Sequence, residues 1–309
     1  MAANTRLQVG PNGAITSGQQ LLLPDSTIRS RKHKKVIIAV NSRDRNFGQY
    51  MDSNDFRWTL RRPLKEIISI ELVNGHIPAD LYNIASGWNE FEFGEGAAIP
   101  SQVWKVTLTP GQYTATELAA ELQTRLNALP GKVNTYTVTY NTITRKITTT
   151  ATVNVAPFTF YWRTGNIHDT FDTWTGAITS INTPGRILGF DWFDYTSSGG
   201  VLEAPYKADP DLFLKKLYLY VNADNNIELN RIELGAGRKD CFHILFLDTA
   251  KDGYYSLNKE MNTPIFYSVP APIARITTLN ISIRDEFYRP VDLGHHDFTL
   301  MFEITYYDT

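Results

Sequence analysis

The stretch Phe298-Thr-Leu-Met-Phe-Glu-Ile-Thr-Tyr306 decides the fold class. Apolar and aromatic residues occupy every second position of it, and this period of two is typical of a strand with one buried face. Shorter runs with the same alternation lie at Phe56–Leu60, Ile68–Leu72, Leu217–Val221 and Leu279–Ile283. The run Val36–Val40 is apolar at nearly every position, which predicts a central strand.

The composition of the 309 residues agrees with a β-rich fold. Aromatic residues make up 12% and charged residues 20% of the chain, against about 25% charged residues in an average soluble protein. The single cysteine, Cys241, excludes an internal disulfide and a cysteine-based zinc cluster. We expect no secretory signal at the N-terminus, and the apolar runs are far shorter than the roughly 20 residues of a membrane span.

The strand signals fall into two groups separated by a segment of different composition. Residues 85–205 hold 22 of the 33 threonines. Just inside this segment, Thr114 and Glu117 form a capping box, and leucines spaced by four and three residues predict a helix that ends at Pro130. A hairpin is expected from residue 136 to residue 151.

Three strands before this segment and five after it give the strand count of a jelly roll. The sequence therefore predicts a mainly β fold: a single eight-stranded antiparallel jelly roll with an inserted α+β or β-rich domain after the third strand. The expected boundaries are an N-terminal arm at 1–33, the first part of the jelly roll at 34–84, the insertion domain at 85–206 and the second part at 207–309.

The net charge of −2 is unevenly distributed. Residues 1–35 carry six Lys/Arg and one acid, a net of +5, while the remainder carries 24 Lys/Arg and 31 Asp/Glu, a net of −7. A basic segment on an acidic body indicates either contact with a partner (nucleic acid, an anionic membrane face or an acidic neighbouring subunit) or a solvated start of the first strand. The candidate interface residues are Arg29, Arg31, Lys32, Lys34 and Lys35. Specific nucleic-acid binding is not expected, because the body is acidic.

Searches for chemistry in the sequence yield weak candidates. His295, His296 and Asp297 are the densest group of possible metal ligands, but adjacent strand residues point to opposite faces. Cys241 and His243 share a strand face, yet apolar neighbours favour a core strand. We expect no catalytic, cofactor or metal residues, and hence no enzyme. The tryptophans of the insert, which could stack on a ligand such as a sugar ring, are Trp162, Trp174 and Trp192.

Several motifs, taken in order, carry a family resemblance. They are Asn41-Ser-Arg-Asp-Arg-Asn-Phe47, Asn54-Asp-Phe56, Pro63-Leu-Lys65, Ile68-Ser-Ile-Glu-Leu72, Ile77-Pro78, Tyr82-Asn-Ile84, Pro110-Gly-Gln-Tyr113, Leu188-Gly-Phe190, Leu279-Asn-Ile-Ser-Ile283, His296-Asp-Phe298 and Phe302-Glu-Ile304. Over residues 36–309 they resemble the minor capsid (penton) proteins of virophages and nucleocytoplasmic large DNA viruses. The resemblance implies a jelly roll that assembles as a homopentamer at icosahedral vertices, beside major capsid capsomers, with the insert facing outward.

This interpretation leaves two alternatives open. The chain could be a non-vertex minor capsid protein that cements capsomers through its basic arm. The insert could instead be an attachment module for a host glycan or receptor, since inserts on rigid sandwiches often carry function. The lone cysteine and the absence of a signal suggest assembly in a host cytoplasm, with the virion as the final location.

Overall fold

The computed structural model describes residues 32–79, 81–96, 102–171, 178–224, 227–230, 232–234, 238–247, 254–258 and 266–308. The described residues form one α-helix, one short 3-10 helix and 17 strands. The strands are β1 His33–Asn41, β2 Asp55–Pro78, β3 Glu90–Glu95, β4 Gln102–Thr107, β5 Tyr136–Tyr140, β6 Ile147–Ala151, β7 Phe158–Tyr161, β8 Thr170–Phe171, β9 Ile178–Ser180, β10 Tyr195–Thr196, β11 Val201–Glu203, β12 Lys216–Ala223, β13 Ile227–Glu228, β14 His243–Phe246, β15 Tyr254–Asn258, β16 Phe266–Arg284 and β17 Thr299–Tyr307. The 3-10 helix is Ser42–Asp44 and the α-helix, α1, is Ala115–Asn127.

The largest sheet has eight strands in the order β1-β17-β2-β16-β12-β13, with β14 beside β12 and β15 beside β2. All of its pairings are antiparallel. The mainly β, antiparallel fold that the sequence predicts is confirmed. Two of the eight strands precede the helix-containing segment and six follow it, whereas the sequence predicted three and five.

The difference comes from β2, which is one strand of 24 residues rather than two separate strands. Its first half pairs with the second half of β16, and its second half pairs with β17, β15 and the first residues of β16. Between Thr59 and Leu64, four residues of β2 lie opposite a single residue of β16. Pro63 lies in this irregularity, where β2 and β16 are out of register. The missing N–H of proline therefore removes no hydrogen bond between the two strands, and β2 continues through Pro63.

The long strands thus connect two groups of strands that pack face to face. One group contains β1, β17, the second half of β2 and β15; the other contains the first half of β2, the second half of β16, β12 and β14. Their inner faces form one apolar cluster, in which the rings of Phe242 and Phe302 lie 5.8 Å apart.

Among the described strands, β1 lies at the edge of the large sheet, whereas the sequence predicted a central strand for Val36–Val40. Only its inward face is covered: Val40 is fully buried, whereas Ile37 is 62% exposed. An edge strand with an exposed apolar side chain is available for pairing with another chain or segment.

A second apolar cluster contains buried residues between Ile84 and Phe213, including the fully buried Leu118, Leu122 and Leu126 of α1. The predicted capping box is present, since Thr114 and Glu117 bond to each other's backbone N–H groups. The predicted hairpin is also present, with Tyr136 opposite Ala151 and Tyr140 opposite Ile147. The helix packs on β5 through its leucine face. No described helix has the length and apolarity that crossing a membrane requires.

Candidate assembly and attachment surfaces

The segment after β1 and the segment before β17 meet in a group of charged and polar side chains, here called the joint. Its residues are Ser42, Arg45, Asn54 and Asp297. Arg45, whose side chain is 5% exposed, forms an ion pair of 2.6 Å with Asp297. Its guanidinium also donates to the carbonyl oxygens of Ser42 (2.8 Å), Tyr50 (3.1 Å) and Met51 (3.0 Å). The ring of Phe47 covers the guanidinium at 4.3 Å. This arrangement fixes the loop after β1.

The same carboxylate of Asp297 accepts a hydrogen bond of 2.8 Å from the Ser42 hydroxyl, and that hydroxyl oxygen accepts one of 2.9 Å from the backbone N–H of Phe298. The Asn54 amide nitrogen donates to the carbonyl of Val291 at 2.6 Å. Asp297 is therefore occupied as a structural ion-pair partner. Among the described residues no group of three or more His, Cys, Asp or Glu side chains is arranged to hold a metal ion.

The basic residues of β1 are partly engaged within the chain. Lys34 forms an ion pair of 2.7 Å with Asp308, and Lys35 one of 2.5 Å with Glu303 of the neighbouring β17. The hydrogen bond and charge of Asp308 raise the pKa of Lys34. Lys32 is exposed, while Arg29 and Arg31 lie outside the described residues. The cationic surface available to a partner at β1 is thus smaller than the sequence indicates.

An open cavity of 760 Å³, here called the β1–β2 groove, lies between β1 and the first half of β2. Its apolar lining comes from Val36, Ile38, Trp58, Leu60, Leu64 and Tyr306. Arg57, Arg61 and Arg62 also line it, together with the carboxylate of Asp44. All four charged residues are exposed, and Arg57 lies 3.9 Å from Asp224. The groove therefore has an apolar floor and a rim with more basic than acidic groups.

The structure corrects the ligand-stacking prediction for Trp162. This side chain is fully buried, and its ring centroid lies 4.9 Å from that of Phe91 and 5.5 Å from those of Phe160 and Phe190. Trp162 fills the core of the second cluster because β7 alternates inward at Phe158, Phe160 and the next residue of that face. Trp174 lies outside the described residues.

Trp192 remains as a surface candidate. Its ring stacks on that of Phe193 with centroids 4.6 Å apart, and Phe193 is 42% exposed. The guanidinium of Arg163 lies 5.3 Å from the Trp192 ring and 5.8 Å from the Phe193 ring. Stacked aromatic faces beside a cation form a surface on which a planar or sugar ring can rest. We call these three residues the aromatic patch.

Cys241 and His243 lack the electrostatics of a nucleophile and its base. Burial raises the pKa of the Cys241 thiol to about 11 and lowers the pKa of His243. A reactive cysteine needs a lowered pKa. The buried aromatic neighbours of Cys241, Tyr218 and Tyr220, place it in a small apolar cluster.

Sequence reasoning missed a buried arginine that connects the end of β16 to the second apolar cluster. Arg289 follows β16 and forms an ion pair of 2.6 Å with Asp285, while its Nη1 donates to the carbonyl of Ile181 at 3.0 Å. Its guanidinium also lies over the rings of Trp88 (4.6 Å) and Phe213 (5.0 Å), which belong to the second cluster. Burial lowers the pKa of Arg289, and Asp285 opposes that shift. No sequence spacing connects these partners, which are up to about 200 residues apart.

Comparison with known proteins identifies a family. A family model described as "Family of unknown function (DUF5901)" matches residues 26–206. The chain belongs to the DUF5901 family. The DUF5901 match covers both parts of the joint that precede α1, namely the Asn41–Phe47 loop and Asn54.

Two solved structures are similar to this DUF5901 chain. The crystal structure of the mavirus penton protein has 9% sequence identity and a TM-score of 0.43, and the match covers 90% of this chain and 100% of that chain. The cryo-EM structure of the Sputnik virophage has 11% identity and a TM-score of 0.34, with 89% of this chain and 98% of that chain covered. The comparison with curated proteins gave no match.

Proposed function

We propose that this chain is a structural protein of an icosahedral viral capsid and a penton subunit that forms homopentamers at the fivefold vertices. One observation carries the proposal. Three of the motifs through which the sequence resembles penton proteins meet in space: the Asn41–Phe47 loop and the motifs that contain Asn54 and Asp297. Arg45 pairs with Asp297, and the Ser53 hydroxyl beside Asn54 donates to the carbonyl of His296. These three motifs therefore form one structural unit, although they are far apart in the sequence.

The edges of the sheet suit a ring of subunits. A closed ring needs two different surfaces on each subunit that fit one another. Ile37 of β1 is 62% exposed on one edge, and Phe246 of β14 and Tyr254 of β15 are 61% and 46% exposed on other edge strands. Burial of such side chains between neighbours would stabilise a ring by about 25 cal/mol per Å² of apolar surface.

The proposal includes the placement of the parts. Residues 85–206 form the insertion domain and point outward, neighbouring major capsid capsomers contact the jelly roll, and assembly takes place in the host cytoplasm before the protein becomes part of the virion. The role is non-enzymatic, in keeping with the buried, protonated thiol of Cys241.

The test uses a pair of matched substitutions at exposed phenylalanines. Phe246→Glu should reduce the pentamer fraction in native mass spectrometry, because it places a charge in the proposed interface. Phe193→Glu, a change of the same kind on the insert, should leave the pentamer intact. Equal pentamer fractions for both variants and the unchanged chain would contradict the proposed interface.

The aromatic patch favours a second function, attachment of the insert to a host glycan or receptor. We expect Trp192→Ala to reduce binding to host cells while particle assembly continues. Loss of assembly together with binding would make the patch a structural element instead.

The cementing role is the remaining alternative, in which the basic segment contacts capsomers away from the vertex. Charge neutralisation at Arg29, Arg31, Lys32, Lys34 and Lys35 should weaken assembly in a salt-dependent way if that segment contacts a neighbour. A particle reconstruction with the chain away from the fivefold axes would select the cementing role over the vertex role.

A further inference from the structure

The β1–β2 groove leaves apolar surface partly uncovered beside two arginines at its rim, Arg61 and Arg62. Val36, Ile38, Trp58, Leu64 and Tyr306 are only half-buried, although all of them pack against the large apolar cluster. At the rim, the guanidinium groups of Arg61 and Arg62 have no hydrogen-bond or ion-pair partner among the residues that the structure describes, and both side chains are exposed. An occupant that matches this surface has aliphatic side chains next to a carboxylate.

The sequence that precedes β1 contains one segment with that chemistry. Residues 1–31 lie before Lys32, outside the described residues, and Leu21-Leu22-Leu23 is their only run of three aliphatic residues. Pro24 and Asp25 follow it directly, and Asp25 is the only acidic residue among the first 35. The three leucines match the apolar floor of the groove, and the carboxylate of Asp25, two positions after Leu23, matches the arginines at its rim.

The segment is also close enough along the chain to reach the groove. From Lys32 to Ile38, β1 extends six residues, about 20 Å at 3.3 Å per residue. Seven residue steps separate Asp25 from Lys32, and these span at most about 25 Å when extended. A chain that reverses direction before β1 can therefore place Asp25 and the leucines alongside the Val36–Ile38 wall of its own groove.

We propose that Leu21–Leu23 bind in the β1–β2 groove of the same chain and that Asp25 pairs with Arg61 or Arg62 at its rim. The segment would cover the apolar mouth of the sandwich beside the edge strand β1. This intramolecular binding does not depend on the capsid role.

Disulfide trapping in the full-length chain tests the proposal. The native Cys241 is fully buried, so two introduced cysteines dominate surface thiol chemistry. Leu22→Cys combined with Thr59→Cys, an exposed residue of the groove, should form an intramolecular disulfide under mild oxidation. Its yield should exceed that of the control pair Leu22→Cys with Thr139→Cys, an exposed threonine of the insert, by about tenfold, because tethering near the groove raises the effective concentration.

Charge reversal tests the rim separately. Arg61→Glu with Arg62→Glu should lower the yield of the groove disulfide by about two- to fivefold, the range for loss of an exposed ion pair. Adding Asp25→Arg should restore it. Equal yields for the groove and control pairs, or a reversal without effect, would overturn the proposal. Disulfide-linked dimers in place of the intramolecular product would show that the segment comes from a second copy, which also overturns it.

Discussion

Replacement of Arg45 by methionine should strongly destabilise the large sheet. The substitution keeps an unbranched side chain of similar length but removes the ion pair with Asp297 and three hydrogen bonds to backbone carbonyls. Removal of one partner from a buried ion pair costs about 3–5 kcal/mol. Asp297 is 34% exposed and keeps its bond from the Ser42 hydroxyl, so solvent compensates part of the loss, and we expect about 2–4 kcal/mol.

Urea unfolding at 25 °C, followed by tryptophan fluorescence, measures this loss. With a slope of about 3 kcal/mol per molar urea, the midpoint of Arg45→Met should fall by about 1 M. Arg43→Met is the matched control, since Arg43 lies two residues away and is exposed; its midpoint should change by less than about 0.2 M. Midpoints that shift equally in the two variants would refute the reasoning that the joint holds the chain ends together.

Three further predictions concern buried groups. Arg289→Met should lower the free energy of unfolding by about 3 kcal/mol, because it leaves the buried Asp285 carboxylate without its cation. The control Arg238→Met removes the exposed ion pair of 3.8 Å with Glu286 and should lower the free energy of unfolding by under about 0.5 kcal/mol in the same urea assay. Burial lowers the pKa of His243, so below the ordinary histidine pKa the unfolded chain binds a proton more readily than the folded chain. The free energy of unfolding should therefore fall from pH 7 to pH 5 by up to about 1.4 kcal/mol per pH unit. His243→Leu should reduce this pH dependence, and an unchanged dependence would assign it to other groups. The Cys241 thiol, with its pKa raised to about 11, should react with a disulfide reagent at pH 8 at least about a hundredfold more slowly in the folded than in the urea-unfolded chain, and comparable rates would contradict its burial.

Local signals in the sequence predicted local structure well. The capping box of Thr114 and Glu117 and the hairpin from residue 136 to residue 151 depend on neighbours within a few residues, and both are present. Alternation likewise identified β17, because its period of two directly reflects which face is buried.

The predictions that differ from the structure concern features that contacts between distant parts of the chain determine. An all-apolar run predicted a central strand for Val36–Val40, but β1 lies at the edge of the described sheet, and a local pattern does not show which strands pair with it. Proline at position 63 predicted a strand end, whereas a register irregularity accommodates it within β2. The alternation of Phe158, Phe160 and Trp162 indicated that these side chains share one face. It did not indicate that this face is buried.

The site residues were predictable only in part. The basic residues of β1 were found from charge alone, yet their pairing with β17 depends on residues about 270 positions away. The Arg45–Asp297 ion pair joins residues 252 positions apart. Contacts between such distant residues leave no periodic pattern in the sequence. The motif resemblance included Arg45 and Asp297, but only the structure shows that they form an ion pair.

The most direct test of the proposed role is the symmetry of the purified full-length chain in negative-stain class averages, with native mass spectrometry of the same sample. A penton subunit is expected to form rings with fivefold symmetry and a mass of five chains at high protein concentration. A fixed dimer or trimer, or a monomer at every concentration tested, would contradict it.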